Sequence, residues 1–188
     1  MEASILLWIQ QYLRNDVLTP IMSGITTLGD HGQFWIILEL ILLLAAGLTQ
    51  LINRKKQERT NPFLRPALGC LAAMLLSFLF CNVLLKNLVA RTRPYEVIDG
   101  LILLAKKPKD YSFPSGHTSL SFACAAALLF TIPKQQHWIA VLLTILAALI
   151  GFSRLYLGVH YPTDVLAGLI LGCVCGKLGS IYSNALPI

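Results

Sequence analysis

The chain has 188 residues, of which 56% are hydrophobic and only 13% charged, with a net charge of +6. Soluble domains average about 45–50% apolar and about 25% charged residues, so a mean hydropathy of +0.68 excludes an ordinary soluble globule and points to one membrane-embedded unit. The positive charge is not a nucleic-acid signal, because the cations sit in two inter-helix segments and at helix ends, with no basic face interleaved with aromatics.

Met1-Glu2-Ala3-Ser4 has no basic leader, so no signal peptide is expected and the spans themselves would direct insertion. Residues 5–13 place Ile5, Leu6, Trp8, Ile9, Tyr12 and Leu13 on one side of a helix too short to span a bilayer. It suits an interfacial helix with Trp8 and Tyr12 at headgroup depth. Residues 17–28, interrupted by Pro20 and Gly24, read as a second interfacial or re-entrant stretch.

Residues 34–52 form the first strong span, since about 20 residues at 1.5 Å each cover the roughly 30 Å hydrocarbon core. Glu39 lies inside it. It reads either as part of a proton relay or as a protonated or locally hydrogen-bonded acid near the boundary, and with no partner visible the second reading is favoured. A basic loop follows at 53–65, with Arg54, Lys55, Lys56, Arg59 and Arg65. The second span runs over 66–85 and ends at Lys86, and residues 86–113 are polar. The third span covers about 115–133, the fourth 138–156 and the fifth 162–182, with a tight turn at 133–136. The fold class is therefore all-α: a polytopic helical bundle of about five spans with an interfacial N-terminal segment (1–30) and a transmembrane core (31–188). Ala167, Gly168, Gly172, Gly176 and Gly179 suit close helix packing in the last span. Cys70, Cys81, Cys124, Cys173 and Cys175 all lie in apolar runs and read as small packing residues.

In this layout Lys86, Ser115, Arg154 and His160 end or begin spans on the same side of the membrane. The 53–65 loop and Lys134 mark the opposite side as cytoplasmic by the positive-inside rule. Residues 86–113 hold six Lys or Arg as well. If some of those bind phosphate, they are poor reporters of topology, so the shared face is expected to be extracytoplasmic.

Three stretches on that face carry chemistry. Lys86 and Arg93 are seven residues apart, about two helical turns, and Pro94 is expected to end their helix. An ammonium and a guanidinium fork facing together can cradle a phosphate; a juxtamembrane cluster for anionic headgroups is the plainer alternative, which Arg91 fits better. Pro114-Ser115-Gly116-His117 opens the third span, where Ser115 can cap the helix, Gly116 allows close backbone approach and free N–H groups attract anions. Ser153-Arg154 and His160-x3-Asp164 complete the set. An imidazole with a carboxylate four residues on is an oriented base or nucleophile, and an ordinary helix-end ion pair is the alternative when that stretch is taken alone.

Together, Lys86-x6-Arg93-Pro94, Pro114-Ser115-Gly116-His117 and Ser153-Arg154-x5-His160-x3-Asp164 resemble the three-part signature of the type 2 phosphatidic acid phosphatase superfamily, which includes lipid phosphatases, vanadium haloperoxidases and glucose-6-phosphatase. Every defining position is filled, in order, within residues 86–164. The resemblance implies His160 as nucleophile forming a phosphohistidine, Asp164 holding its other ring N–H, and His117 as general acid. It implies Lys86, Arg93 and Arg154 as phosphate ligands, assisted by Ser115 and the Gly116 backbone, with neither metal nor cofactor. The partners expected are a phosphorylated lipid substrate and membrane lipids, with undecaprenyl diphosphate favoured over phosphatidic acid, phosphatidylglycerol phosphate or diacylglycerol diphosphate. A sugar-phosphate phosphatase, a haloperoxidase and a non-catalytic lipid-binding protein are the lesser readings. Oligomeric state leaves no mark in the sequence.

Overall fold

A computed structural model describes residues 1–56 and 60–187. Arg59 of the basic loop lies outside the described residues. Long apolar runs without interior proline fold as helices, because the backbone then satisfies its own hydrogen bonds away from water. The elements in chain order are α1 (Glu2–Tyr12), α2 (Leu18–Gly29), α3 (Gln33–Lys56), α4 (Leu64–Ser77), α5 (Lys86–Val89), α6 (Pro94–Val97), α7 (Gly116–Thr131), α8 (His137–Tyr156) and α9 (Pro162–Ala185). Short 3₁₀ turns at Asp30–Gly32 and Lys134–Gln136 join neighbours, and no strand occurs among the described residues.

Among the described residues, four helical stretches are long and apolar enough to cross a membrane: Leu18–Lys56, Leu64–Val97, Lys134–Tyr156 and Pro162–Ala185. The expected third span is present as α7, which has 16 residues, or about 24 Å at 1.5 Å per residue. It can be short because most of its surface is buried inside the bundle. Ser119, Ala123, Cys124, Ala127 and their neighbours are buried against α4, α8 and α9. Leu40, Ile41, Leu44 and Leu48 of α3 instead remain exposed, as a lipid-facing surface requires.

Close packing around α7 depends on glycine. A Cβ at Gly172 of α9 would lie 2.4 Å from the Ser119 carbonyl oxygen, and one at Gly179 would lie 2.4 Å from that of Gly69 in α4. Trp35 Nε1 donates to Ser121 Oγ at 2.8 Å and ties α3 to α7. Glu39 is buried, and among the described residues the weak Cys70 thiol donor beside it is the partner its carboxylate finds.

The stretch at 17–28, expected to be interfacial or re-entrant, forms α2 and packs on α8 before leading, through the Asp30–Gly32 turn, into α3. The end of the second span differs from expectation. The helix of the second span widens to π geometry over Phe78–Leu85, and ends at Val89 where Ala90 turns left-handed (φ 47°). Pro94 therefore opens α6 instead of ending a helix. Its fixed φ and missing N–H suit the first turn, and it holds Arg93 in an extended conformation, φ −78° and ψ 150°.

Candidate active site

The ends of the π-helical stretch, α7, α8 and α9 meet at one end of the bundle. Ser115 caps α7: its Oγ accepts from the Thr118 hydroxyl at 2.9 Å and, more loosely, from the Thr118 N–H at 3.5 Å. The Ser115 N–H donates to the Asp164 carbonyl at 3.0 Å and locks the start of α7 to the start of α9. Gly116 has a packing reason as well as the expected ligand-approach one, since a Cβ there would lie 2.8 Å from Asn82 Oδ1.

His160 sits in the turn before α9 and Asp164 in its first turn, so the pair meets across the start of α9 and not along one helix face. Pro162 at the first position fixes the entry of α9, and the Asp164 carboxylate folds back to accept the Tyr161 N–H at 2.9 Å. Asp164 is fully buried and also accepts from Ser112 Oγ at 2.5 Å and Arg91 Nη1 at 2.7 Å. His160 Nδ1 lies 3.5 Å from Asp164 Oδ2, close enough for an ion pair but without an aligned hydrogen bond. On the other side of the ring, Nε2 lies 3.4 Å from Arg93 Nη1. Burial pushes the His160 imidazole well below the usual histidine range; the charges of Arg93 and Arg154 add to that and Asp164 opposes it. The ring is therefore neutral, with a free lone pair, at neutral pH.

The three expected phosphate-binding cations are all buried: Lys86, Arg93 and Arg154. Asp110 occupies two of them. Its carboxylate pairs with Lys86 Nζ and, at 2.7 Å, with Arg93 Nη2. Burial alone would raise the Asp110 pKa, but the hydrogen bonds and charges of Lys86 and Arg93 outweigh it and hold the group down at about 2. Arg93 also donates to the Val159 and Asp110 carbonyls at 2.8 and 2.9 Å. Arg154 Nη1 donates to Thr26 Oγ1 at 2.5 Å, while its buried Nε has no partner among the described residues. A cleft of about 570 Å³ opens beside this cradle, lined in part by Arg93, Tyr95, Lys107 and Asp110.

The structure thus brings together His160, Asp164, Lys86, Arg93 and Ser115, with Arg154 and His117 approaching from α8 and α7. His117 Nε2 lies 2.9 Å from Asp30 Oδ1. Arg91, which the sequence suggests for headgroups, instead pairs with Asp164 and with Glu2 at 2.6 Å while stacking 3.7 Å over the Tyr161 ring. Sequence reasoning missed Asp30, Asp110 and Ser112. No cluster of three or more His, Cys, Asp or Glu side chains suited to a metal ion occurs among the described residues.

Comparison with known proteins points the same way. The chain is similar to an undecaprenyl-diphosphatase from Sulfolobus acidocaldarius, 42% identical over 118 residues, covering 61% of this chain and 56% of that protein. It is similar to phosphatidylglycerophosphatase B of Bacillus subtilis, 34% identical over 171 residues, covering 85% of this chain and 72% of that one. The chain thus spans little more than half the length of the first relative. Among solved structures, Aquifex aeolicus LpxE superposes with a TM-score of 0.73 at 27% identity, covering 95% of this chain and 94% of that one. The profile of the PAP2 superfamily matches residues 66–186, a stretch that carries the cradle cations, both histidines and Asp164, and on that match this membrane protein belongs to the PAP2 superfamily.

Proposed function

We propose that the chain is an integral-membrane phosphatase that hydrolyses a phosphate or diphosphate monoester of a lipid through a phosphohistidine. The observation that carries this reading is His160: a buried imidazole with a carboxylate behind Nδ1 and a guanidinium 3.4 Å from Nε2. A phosphoryl group held by Arg93, Lys86 and Arg154 would lie against that nitrogen.

The residues then act in sequence. The Nε2 lone pair forms the N–P bond while the P–O bond breaks, and its electron pair stays on the leaving oxygen. His117 gives that oxygen a proton. In the second half a water oxygen attacks phosphorus, His117 takes a proton from the water, and the N–P electron pair returns to His160. Asp164 stabilises the charge that the ring carries between the two halves. Phosphoryl transfer needs positioning and charge neutralisation above all, and three fixed cations supply them. Loss of one such contact typically costs about 10²–10³ in rate, or about 2.7–4 kcal/mol.

The apolar flanks and the named activities of the relatives favour a lipid substrate, and the Sulfolobus relative favours undecaprenyl diphosphate. Phosphatidylglycerol phosphate is the second reading, favoured by the longer match to the Bacillus protein. The whole chain acts as one unit, with its site on the extracytoplasmic face.

The test is phosphate release by purified protein in detergent containing EDTA. The substrates are undecaprenyl diphosphate, phosphatidic acid, phosphatidylglycerol phosphate and a soluble sugar phosphate, with His160→Ala alongside. Release from a lipid that survives EDTA and vanishes in the variant supports the reading. Full activity in His160→Ala would sink the nucleophile, and release from the sugar phosphate alone would sink the lipid substrate.

A further inference from the structure

The residues before α3 carry no motif, yet the end of α2 reaches two side chains of the site. Thr26 Oγ1 takes the Arg154 hydrogen bond. Three residues on, Gly29 lies under the His117 ring, where a Cβ would sit 2.6 Å from Cδ2. Asp30 comes next and brings Oδ1 to 2.9 Å from His117 Nε2. The helix then breaks: His31 and Gly32 both turn left-handed, with φ of 52° and 69°. A non-glycine residue there is sterically disfavoured and persists only where its surroundings hold it. The brace is visible, because a Cβ on Gly32 would lie 2.5 Å from Leu120 Cδ2. The break is thus packed against α7, the helix that carries His117, and it sets the Asp30 carboxylate at the ring.

We propose that Asp30 is a positioning residue for His117, accepting the Nε2–H and leaving Nδ1 to exchange protons with the leaving oxygen and the attacking water. This inference rests on the phosphatase reading. Nδ1 has no hydrogen-bond partner among the described residues, as a proton-exchanging nitrogen requires. In the first half-reaction the Nδ1 proton moves to the oxygen that keeps the P–O electron pair, while the Nε2 proton stays on the Asp30 side. In the second half Nδ1 takes a proton from the attacking water. The charged groups that face the ring are Asp30 from the turn before α3, Arg154 from α8 and Lys86 from the end of the second span, with His31 acting on Asp30. Burial first and then the two cations disfavour an imidazolium, and Asp30 is the anion that opposes them. An aspartate that fixes a histidine tautomer in this way is a recurring device of acid–base catalysis.

The experiment follows kcat and KM across pH for wild type, Asp30→Asn, Asp30→Glu, His117→Ala and Asp30→Asn/His117→Ala, using whichever of the three lipids wild type cleaves best. General acid–base catalysis contributes about 10²–10⁴. Asp30→Asn is expected to lose about 10–10² of this in kcat, to leave KM within about twofold, and to move the alkaline limb to lower pH. Asp30→Glu should recover part of the loss, and Asp30→Asn should add nothing to His117→Ala. An equal loss in both backgrounds, an unmoved limb or an unchanged kcat would overturn the assignment. Histidine ¹⁵N spectra of the wild-type protein give a reading independent of turnover: His117 protonated at Nε2 supports the proposal, and at Nδ1 alone overturns it. Wild-type protein that releases no phosphate from any lipid would bring down the phosphatase reading and this inference with it, an outcome distinct from an active enzyme indifferent to Asp30.

Discussion

Asp164 accepts from Ser112, from the Tyr161 N–H and from Arg91, and only Arg91 adds a full charge. A hydrogen bond to a charged group is worth about 1.5–3 kcal/mol. Arg91→Leu is therefore expected to lower kcat by about 10–10², since each 1.4 kcal/mol is about tenfold, and activity within twofold of wild type would show that Ser112 and Tyr161 suffice. Asp110 poses the reverse case. Its carboxylate sits where phosphate oxygens would meet Lys86 and Arg93. Asp110→Asn should tighten competitive inhibition by inorganic phosphate by about tenfold, or about 1.4 kcal/mol. Weaker inhibition would mean that Asp110 holds the cations in place and does not compete for them. On the proposed mechanism, with His160 as nucleophile, this ring sets the acid limb. Its folded pKa is lowered, first by burial and then by Arg93 and Arg154. The neutral nucleophile therefore persists as pH falls below the ordinary value of about 6.5, and the acid limb of kcat/KM should lie below that value. Because the unfolded chain binds the extra proton first, stability also rises with pH through that window. An acid limb at or above about 6.5 would contradict the buried, cation-flanked ring.

Helix α9 meets α7 backbone to backbone, and Gly172 is the tightest point of that contact. Gly172→Val should destabilise the protein by about 1–3 kcal/mol, as overpacking usually does, read as a lowered Tm in detergent. Gly24→Ala, where nothing lies within 4 Å of the added Cβ, should be neutral or raise Tm, because glycine within a helix costs roughly 0.5–1 kcal/mol relative to alanine. The helices were legible in the sequence because apolar runs and their breaks are local signals, and the same holds for Ser115 as a cap and for the glycines of α9. The π-helical widening and the left-handed Ala90 were not legible, since no residue in 78–90 demands them. The site divides in the same way. His160, Asp164, His117 and the three cations stand where apolar runs break, and local spacing picks them out. Asp30 is 87 residues from His117 and Ser112 is 52 from Asp164, so only the folded loops reveal those partnerships.

Across the whole molecule, the site's side chains gather at one end and the Lys134 turn lies at the other. With the native cysteines replaced, a cysteine at exposed Ile102 should react with an impermeant maleimide added to intact cells, and one at Lys134 should not. The opposite pattern would put the site in the cytoplasm. The Asp110 carboxylate gives the cradle a built-in counter-ion. If Lys86 and Arg93 bind phosphate as proposed, an entering phosphate would replace one anion with another, so little net charge would be gained and arrival would resemble ion exchange. Bare cationic pockets lose ligand steeply as salt rises, because the Debye length falls from about 10 Å at 0.1 M to about 3 Å at 1 M. The wild-type KM should change little over that range, and the Asp110→Asn KM should climb.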